Sequence, residues 1–350
     1  MLKKTNKLDK SILEMLFEVP AEVWIVRETE AIEFLGRDVE LDGFRKGKAP
    51  LEVLKKSLPE IMILEKTAEL VISDLYPKTV GEEKIAVIGR PEVSITKLAR
   101  GNALEFTIKT AVVPEVKLPD YVKIAKEEMK AESEEVTDED FEKALLDIRR
   151  MRAHQKMHED NVPHEAHDHN AIEEKDLPEL TDEFVQSIGA FKTVDEFKAK
   201  LRDNLKAEKL IENKNKNRSK IVERISKETT TDVPDVLVQS ELDKMVMQLR
   251  ETIERAGMSF DDYSKHIGKT EEDVRKDFLP DAEKRAVMEL ALYEIGKKEK
   301  LTPTEEAINA EVDKLIAQYP GADRNRAIAY VEQVMTNEAV FEFLEKSATK

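Results

Sequence analysis

Apolar and polar positions alternate strictly in two stretches of the N-terminal third. Leu13, Met15, Phe17 and Val19 form one set; Leu104, Phe106 and Ile108, set against Glu105, Thr107 and Lys109, form the other. A period of two places the apolar side chains on one face of a strand, so both stretches predict strands with one buried face. "KIAVIGRPEVSI" (residues 84–95) and "YVKIAKEEM" (residues 121–129) predict two more. Between these lie two helical patterns. One runs from Ala21 to Leu41, with Ala31, Leu35 and Val39 in step; the other runs from Leu51 to Val80 and breaks near Pro59. The expectation for residues 1–130 is an α+β domain of antiparallel strands plus a helical hairpin.

From Thr137 the period changes to that of a helix, first over Thr137–Met157. "HEDNVPHEAHDHNAIEEKDLPEL" follows, polar, with two prolines and no periodicity, and reads as a linker over 158–176. Repeated helix starts come after it. "TVDE" at Thr193 and "TPTE" at Thr302 have capping-box spacing, and Thr181, Ser259 and Thr270 are N-cap candidates. Val238, Leu242, Met245, Leu249 and Ile253 make one apolar stripe; Ile308, Val312, Leu315, Ile316 and Tyr319 make another. Residues 177–350 are therefore expected to form an extended all-α domain, joined to the first by a connecting helix over 131–157. No fixed-period repeat argues for a solenoid.

Composition sharpens this picture. Of 350 residues 37% are charged and only 5% aromatic, which suits helices with much solvated surface. The formal net charge of −17 disfavours non-specific binding to DNA or to an anionic membrane, so any phosphate contact needs a local basic patch. There is no cysteine, which excludes disulfides and thiolate chemistry. The N-terminus lacks the apolar core of a signal peptide, and no apolar run approaches the length of a membrane span. A soluble cytoplasmic protein is expected.

One short stretch stands against the acidic background. "LDGFRKGKAP" (residues 41–50) sets Phe44 beside Arg45, Lys46 and Lys48, with Gly43 and Gly47 on either side, in the turn between the two N-terminal helices. Glycine lets a backbone turn sharply and approach a partner closely. Arg45 offers a planar fork to phosphate or carboxylate, and the lysines are point charges. A mixed aromatic and basic tip suits a surface that presents both protein and phosphate. On the residues alone, an ordinary solvated turn with the phenylalanine tucked under the hairpin fits as well.

"GFRKGKAP" also matches the G-F-R-x-G-K-x-P signature of bacterial trigger factor, a ribosome-associated chaperone family. The order of strand, helix, signature, helix and strands resembles that family's ribosome-binding domain, and "DLPELTDEFVQSIGAFKTVDEFKAKLRDNLK" from Asp176 resembles the start of its helical C-terminal domain. The resemblance implies that Gly43, Phe44, Arg45, Lys46, Gly47 and Lys48 dock on the large ribosomal subunit, against protein and RNA near the tunnel exit. It implies that the helical part shelters nascent or unfolded chains without ATP or any cofactor, and that a weak homodimer forms off the ribosome. The family usually inserts a peptidyl-prolyl isomerase domain between these parts. The interval here is too short and carries no strand pattern, so that domain is expected to be absent and the chain is not expected to be an enzyme. A prolyl isomerase with a concealed site, or a ribosome-binding adaptor without chaperone activity, are the alternatives.

Five of the six histidines fall between 154 and 169: His154, His158, His164, His167 and His169. With Glu165 and Asp168 among them they have the donor chemistry for zinc, copper or nickel. A hydrophilic linker is the simpler reading, and no ordered metal site is expected. No G-x-S-x-G, H-E-x-x-H or phosphate-binding glycine loop occurs. Methionine is flexible and polarizable, so it suits a surface that accepts many apolar shapes. Met247 lies off the first apolar stripe and Met258 near a helix end, which makes them the candidates for contact with unfolded chains; Met245 lies on the stripe and belongs to the core.

Overall fold

The computed structural model describes residues 1–129, 136–159 and 177–349, apart from the side chains of 156–159. It is mostly helical, with a small antiparallel sheet near the N-terminus. The described chain packs as two compact units that do not follow chain order. One comprises Met1–Pro119 with Ile225–Val340, the other Asp120–Arg224 with Phe341–Lys350.

In the first unit, strands β1 (Leu2–Leu8), β2 (Ile12–Val19), β3 (Val87–Lys97) and β4 (Leu104–Val112) form a sheet of order β1-β2-β4-β3. The alternation read from the sequence sets the register. Met15 stands opposite Ile108 and Phe17 opposite Phe106, with the two rings stacked 4.9 Å apart. Opposed residues of an antiparallel pair share a face, so β2 and β4 present one apolar side, interrupted by buried Thr110 opposite Leu13. Helix α4 (Glu60–Glu82) lays Leu64, Ala68 and Ile72 on it, one turn apart. Trp24 is fully buried in the same cluster and donates its indole N–H to the Asn102 carbonyl at 3.0 Å. β1 has no counterpart among the expected strands. Its lysines are exposed, and backbone pairing with β2 alone defines it.

The helix expected over Ala21–Leu41 is interrupted and shorter. It consists of α1 (Ala21–Trp24), a 3-10 turn (Ile25–Arg27) and α2 (Glu28–Gly36). Gly36 ends it against Leu54, whose Cδ1 lies 2.5 Å from where a β-carbon would sit. Helix α3 (Leu51–Ser57) then precedes α4, with the break at Pro59 as expected. The two-residue strands β5 (Val116–Lys117) and β6 (Thr230–Thr231) pair with each other. Close by, the β1–β2 turn reaches the same stretch of chain as β6: Ser11 donates its N–H to Asp232 at 2.7 Å and Lys10 donates to Asp235 at 2.7 Å.

The stretch expected to be a strand over Tyr121–Met129 is instead helix α5 (Tyr121–Glu128). Asp120 caps it, accepting from the Lys123 N–H at 3.0 Å, and Tyr121, Ile124 and Ala125 are buried with helical spacing. It opens the second unit. There α6 (Asp138–Glu159), α7 (Asp182–Ile188) and α8 (Val194–Glu228) bury Phe141, Leu145, Phe184, Val185 and Phe197 together. Thr137, Thr181 and Thr193 accept from the N–H groups of Asp140, Phe184 and Glu196, so each of the three helices starts on a threonine cap.

The rest of the first unit is α9 (Asp235–Arg255), α10 (Phe260–Ile267), α11 (Glu271–Lys298), α12 (Glu305–Gln318) and most of α13 (Arg324–Ala348). Val238, Leu242 and Met245 of α9 pack on Ala282 and Ala286 of α11, and Ile308 and Val312 of α12 pack on Ala327 and Val331 of α13. Ser259 and Thr270 cap α10 and α11 as expected. The cap of α12 is Thr304 in place of Thr302: its side chain accepts from the Ala307 N–H at 3.3 Å. Tyr319 also departs from the expected stripe. It follows the last turn of α12 and is exposed.

Candidate functional site

Residues 37–50 join α2 to α3 as two successive tight turns. Phe44 donates its N–H to the Leu41 carbonyl at 3.0 Å, and Lys48 donates to the Arg45 carbonyl at 2.9 Å. The third residue of each turn is glycine with positive φ, Gly43 at 83° and Gly47 at 71°. That is the backbone a type II turn demands at this position, and glycine adopts it without a steric penalty. Gly47 is doubly constrained, because a β-carbon there would sit 3.1 Å from the Arg37 carbonyl oxygen. The glycine spacing is therefore a turn-forming device, and Phe44 and Arg45 are the residues where one turn hands over to the next.

The hairpin beneath is packed. Ile32, Leu54, Leu58 and Ile63 are buried together, with Leu35, Val39, Leu41, Ala49 and Leu51 against them. Phe44 does not join that cluster and is 40% exposed, so it does not tuck under the hairpin. Arg45, Lys46 and Lys48 are exposed around it. Lys46 approaches Asp38 at 3.4 Å, a solvent-exposed pair that constrains it little. Among the described residues no carboxylate pairs with Arg45 or Lys48. The result is a rigid-based, cationic tip around an aromatic ring, able to meet phosphate through Arg45 and the lysines and an apolar recess through Phe44.

The helical part of the same unit carries a cleft of about 490 Å³ between α9, α11 and α13. Leu237, Leu290, Tyr293 and Ala329 give it an apolar lining, and Glu289 and Gln333 a polar one. Lys244 donates to Glu241 at 2.5 Å and to Glu289 at 3.3 Å, and Gln333 donates to the Glu289 carboxylate. Burial, and then the negative charge of Glu241, push the Glu289 carboxyl above the ordinary carboxylate range. No sequence reading anticipated this cleft. It arises from three helices far apart in the chain, and no single stretch carries its signature. Met247 and Met258 lie outside it. Met247 is 61% exposed on α9; Met258 follows the Gly257 turn, which has φ 78°, and is 42% exposed. Met245 is buried between α9 and α11, as its stripe implied.

Of the histidines, His154 is half-buried on α6. The His158 side chain and the whole of His164, His167 and His169 lie outside the described residues. Among the described residues no three His, Asp or Glu side chains converge on a point that could hold a metal. No helix of the described residues is long and apolar enough to cross a membrane.

Two family models match the chain. "Bacterial trigger factor protein (TF)" covers residues 1–148, and "Bacterial trigger factor protein (TF) C-terminus" covers residues 193–349. The chain belongs to the bacterial trigger factor family. Among curated relatives, the trigger factor of Bacillus cytotoxicus is 25% identical over 91% of this chain and 91% of its own length. That of Clostridium botulinum is 23% identical over 99% and 98%. A solved structure from work on promiscuous substrate recognition in folding and assembly by the trigger factor chaperone covers 99% of this chain and 100% of its own, at TM-score 0.55 and 18% identity. That likeness bears on the fold. The tip falls within the N-terminal model, and the cleft, Met247 and Met258 fall within the C-terminal one. The Clostridium alignment runs over 426 positions, more than the 350 residues of this chain, so that relative carries a surplus with no counterpart in it.

Proposed function

We propose that this protein is an ATP-independent chaperone of the cytoplasm that docks on the large ribosomal subunit near the nascent-chain exit and shelters emerging polypeptides. Residues 1–130 dock and residues 177–350 hold the client. The observation that carries the reading is the tip: a phenylalanine left exposed among three cations, on two glycine turns, in a chain of net charge −17. A solvated turn has no need of an exposed aromatic at its apex. An acidic protein that must approach ribosomal RNA needs its cations concentrated in one place.

Client contact is assigned to exposed apolar side chains scattered among charges, Met247 and Met258 first, because one large apolar patch would favour self-association. Release needs no nucleotide, since binding through small patches is weak. Isomerase activity forms no part of this reading. Helix α6 runs to Glu159 and α7 begins at Asp182, and the interval between them is below the length at which a domain ordinarily folds unaided.

The test is co-sedimentation with ribosomes of a variant carrying Phe44→Ala, Arg45→Ala and Lys46→Ala. It is expected to lose binding while keeping its melting temperature, because exposed turn residues contribute little to stability. Binding equal to that of the parent chain would overturn the docking assignment. For the client surface, Met247→Glu with Met258→Glu is expected to reduce protection of a misfolding protein, followed by light scattering, with the melting curve unchanged.

A further inference from the structure

The four-stranded sheet ends on two edges of opposite character. β1 carries Lys3, Lys4 and Lys7, with Lys10 in the turn after it, and charged side chains, lysine above all, keep an open edge from pairing with another chain. Over its second half β3 carries charges only at its two ends, Glu92 and Lys97, and none from Val93 to Thr96. Val93 and Ile95 stand opposite Ile108 and Phe106, so they point to the sheet's apolar face. Yet they lie beyond the cluster that α4 covers and are 43% and 39% exposed. Among the described residues no strand pairs with the outer edge of β3.

We propose that the β3 edge from Glu92 to Lys97 takes an extended, unfolded polypeptide segment as an added strand, with apolar side chains at alternate positions lying over Val93 and Ile95. The proposal rests on the reading of this chain as a chaperone and gives it a second mode of client contact, distinct from the helical half. Main-chain hydrogen bonds supply the affinity, and they are the same for every sequence, which suits a binder of unrelated clients. A second copy of this chain is the poorer occupant. Six residues along one edge span about 20 Å and bury far less than the roughly 800 Å² per partner of a stable interface. Two chains of formal charge −17 also repel.

The probe is a dye-labelled peptide of ten alternating valines and threonines with a lysine at each end, and a twin in which every backbone nitrogen is methylated. Fluorescence anisotropy with the full chain is expected to show binding of the first, and binding at least about tenfold weaker for the twin. Val93→Lys with Ile95→Lys, which copies the protection of β1, is expected to weaken the unmethylated peptide by a similar factor. Should that variant fail to fold, Val93→Thr with Ile95→Thr retains strand propensity and is expected to weaken it several-fold. Equal binding of the methylated twin, undiminished binding by a folded variant, or no binding by the parent chain would overturn the proposal. So would a dimer of the parent chain in sedimentation that the substitutions disperse, since the occupant would then be a second copy. Protection of a misfolding client by the parent chain is read separately. Its absence sinks the chaperone reading, whereas protection alongside an inert edge sinks the added strand alone.

Discussion

Two carboxylates show how placement sets the charge that a residue carries. Glu28 accepts from the Arg100 guanidinium and, at 3.3 Å, from Lys55, and Arg100 also reaches Glu60 at 2.7 Å. The Arg100 bond, with Lys55 behind it, holds the Glu28 carboxyl below its ordinary value of 4.5. A depressed carboxyl stabilises the fold above the unfolded-state pKa, and that contribution is lost as pH falls through the folded-state value. Glu28→Gln is therefore expected to cost about 1 kcal/mol at pH 7 and progressively less as pH falls below 4.5 through the folded-state value, measured by urea unfolding across that range. Glu289 has the opposite sign. Its raised pKa means that stability is lost as pH climbs above 4.5 through the folded-state value. Glu289→Gln, which stays neutral, is expected to melt higher than the parent chain at pH 8 and level with it at pH 4. A variant that melts lower at pH 8 would contradict this account of the cleft.

Among the elements, the caps separate what the sequence made legible from what it concealed. Capping-box spacing points to Thr302, with Glu305 three residues on, whereas the fold uses Thr304, which has Ala307 at that position. The Thr304 side chain accepts from Ala307 and decides the matter. Thr304→Ala is expected to cost about 1 kcal/mol and Thr302→Ala little, in the same unfolding assay. Strands β2 and β4 were legible because one face is buried and the other is not, and that contrast is what a period of two records. β1 was not legible, because an edge strand built of exposed lysines leaves no apolar trace. Helix α5 was misread because Tyr121, Ile124 and Ala125 sit in a stretch too short to separate the two periods. Asp120 after Pro119 was the overlooked signal, and Asp120→Ala is expected to loosen α5 at a cost of about 1 kcal/mol. The tip was legible as a motif, while its two-turn geometry and the exposure of Phe44 needed the fold. The cleft was legible nowhere, because α9, α11 and α13 meet only after folding.

For the whole molecule, the distribution of charge governs the encounter. In the proposed docking mode, a body of net charge −17 meets ribosomal phosphate through the cations beside Phe44, Arg45, Lys46 and Lys48. Docking is therefore expected to weaken steadily as salt rises from 50 to about 300 mM, because the cations displace condensed counterions, and ribosome pelleting across a salt series measures it. The most direct test of the central claim places a photo-cross-linking amino acid at position 44 of the full chain and illuminates it with ribosomes. The account predicts cross-links to large-subunit components beside the nascent-chain exit, lost when Arg45 and Lys46 are changed to alanine. Cross-links absent from the ribosome, or the same in kind and yield from a cross-linker at exposed Val26, would contradict it.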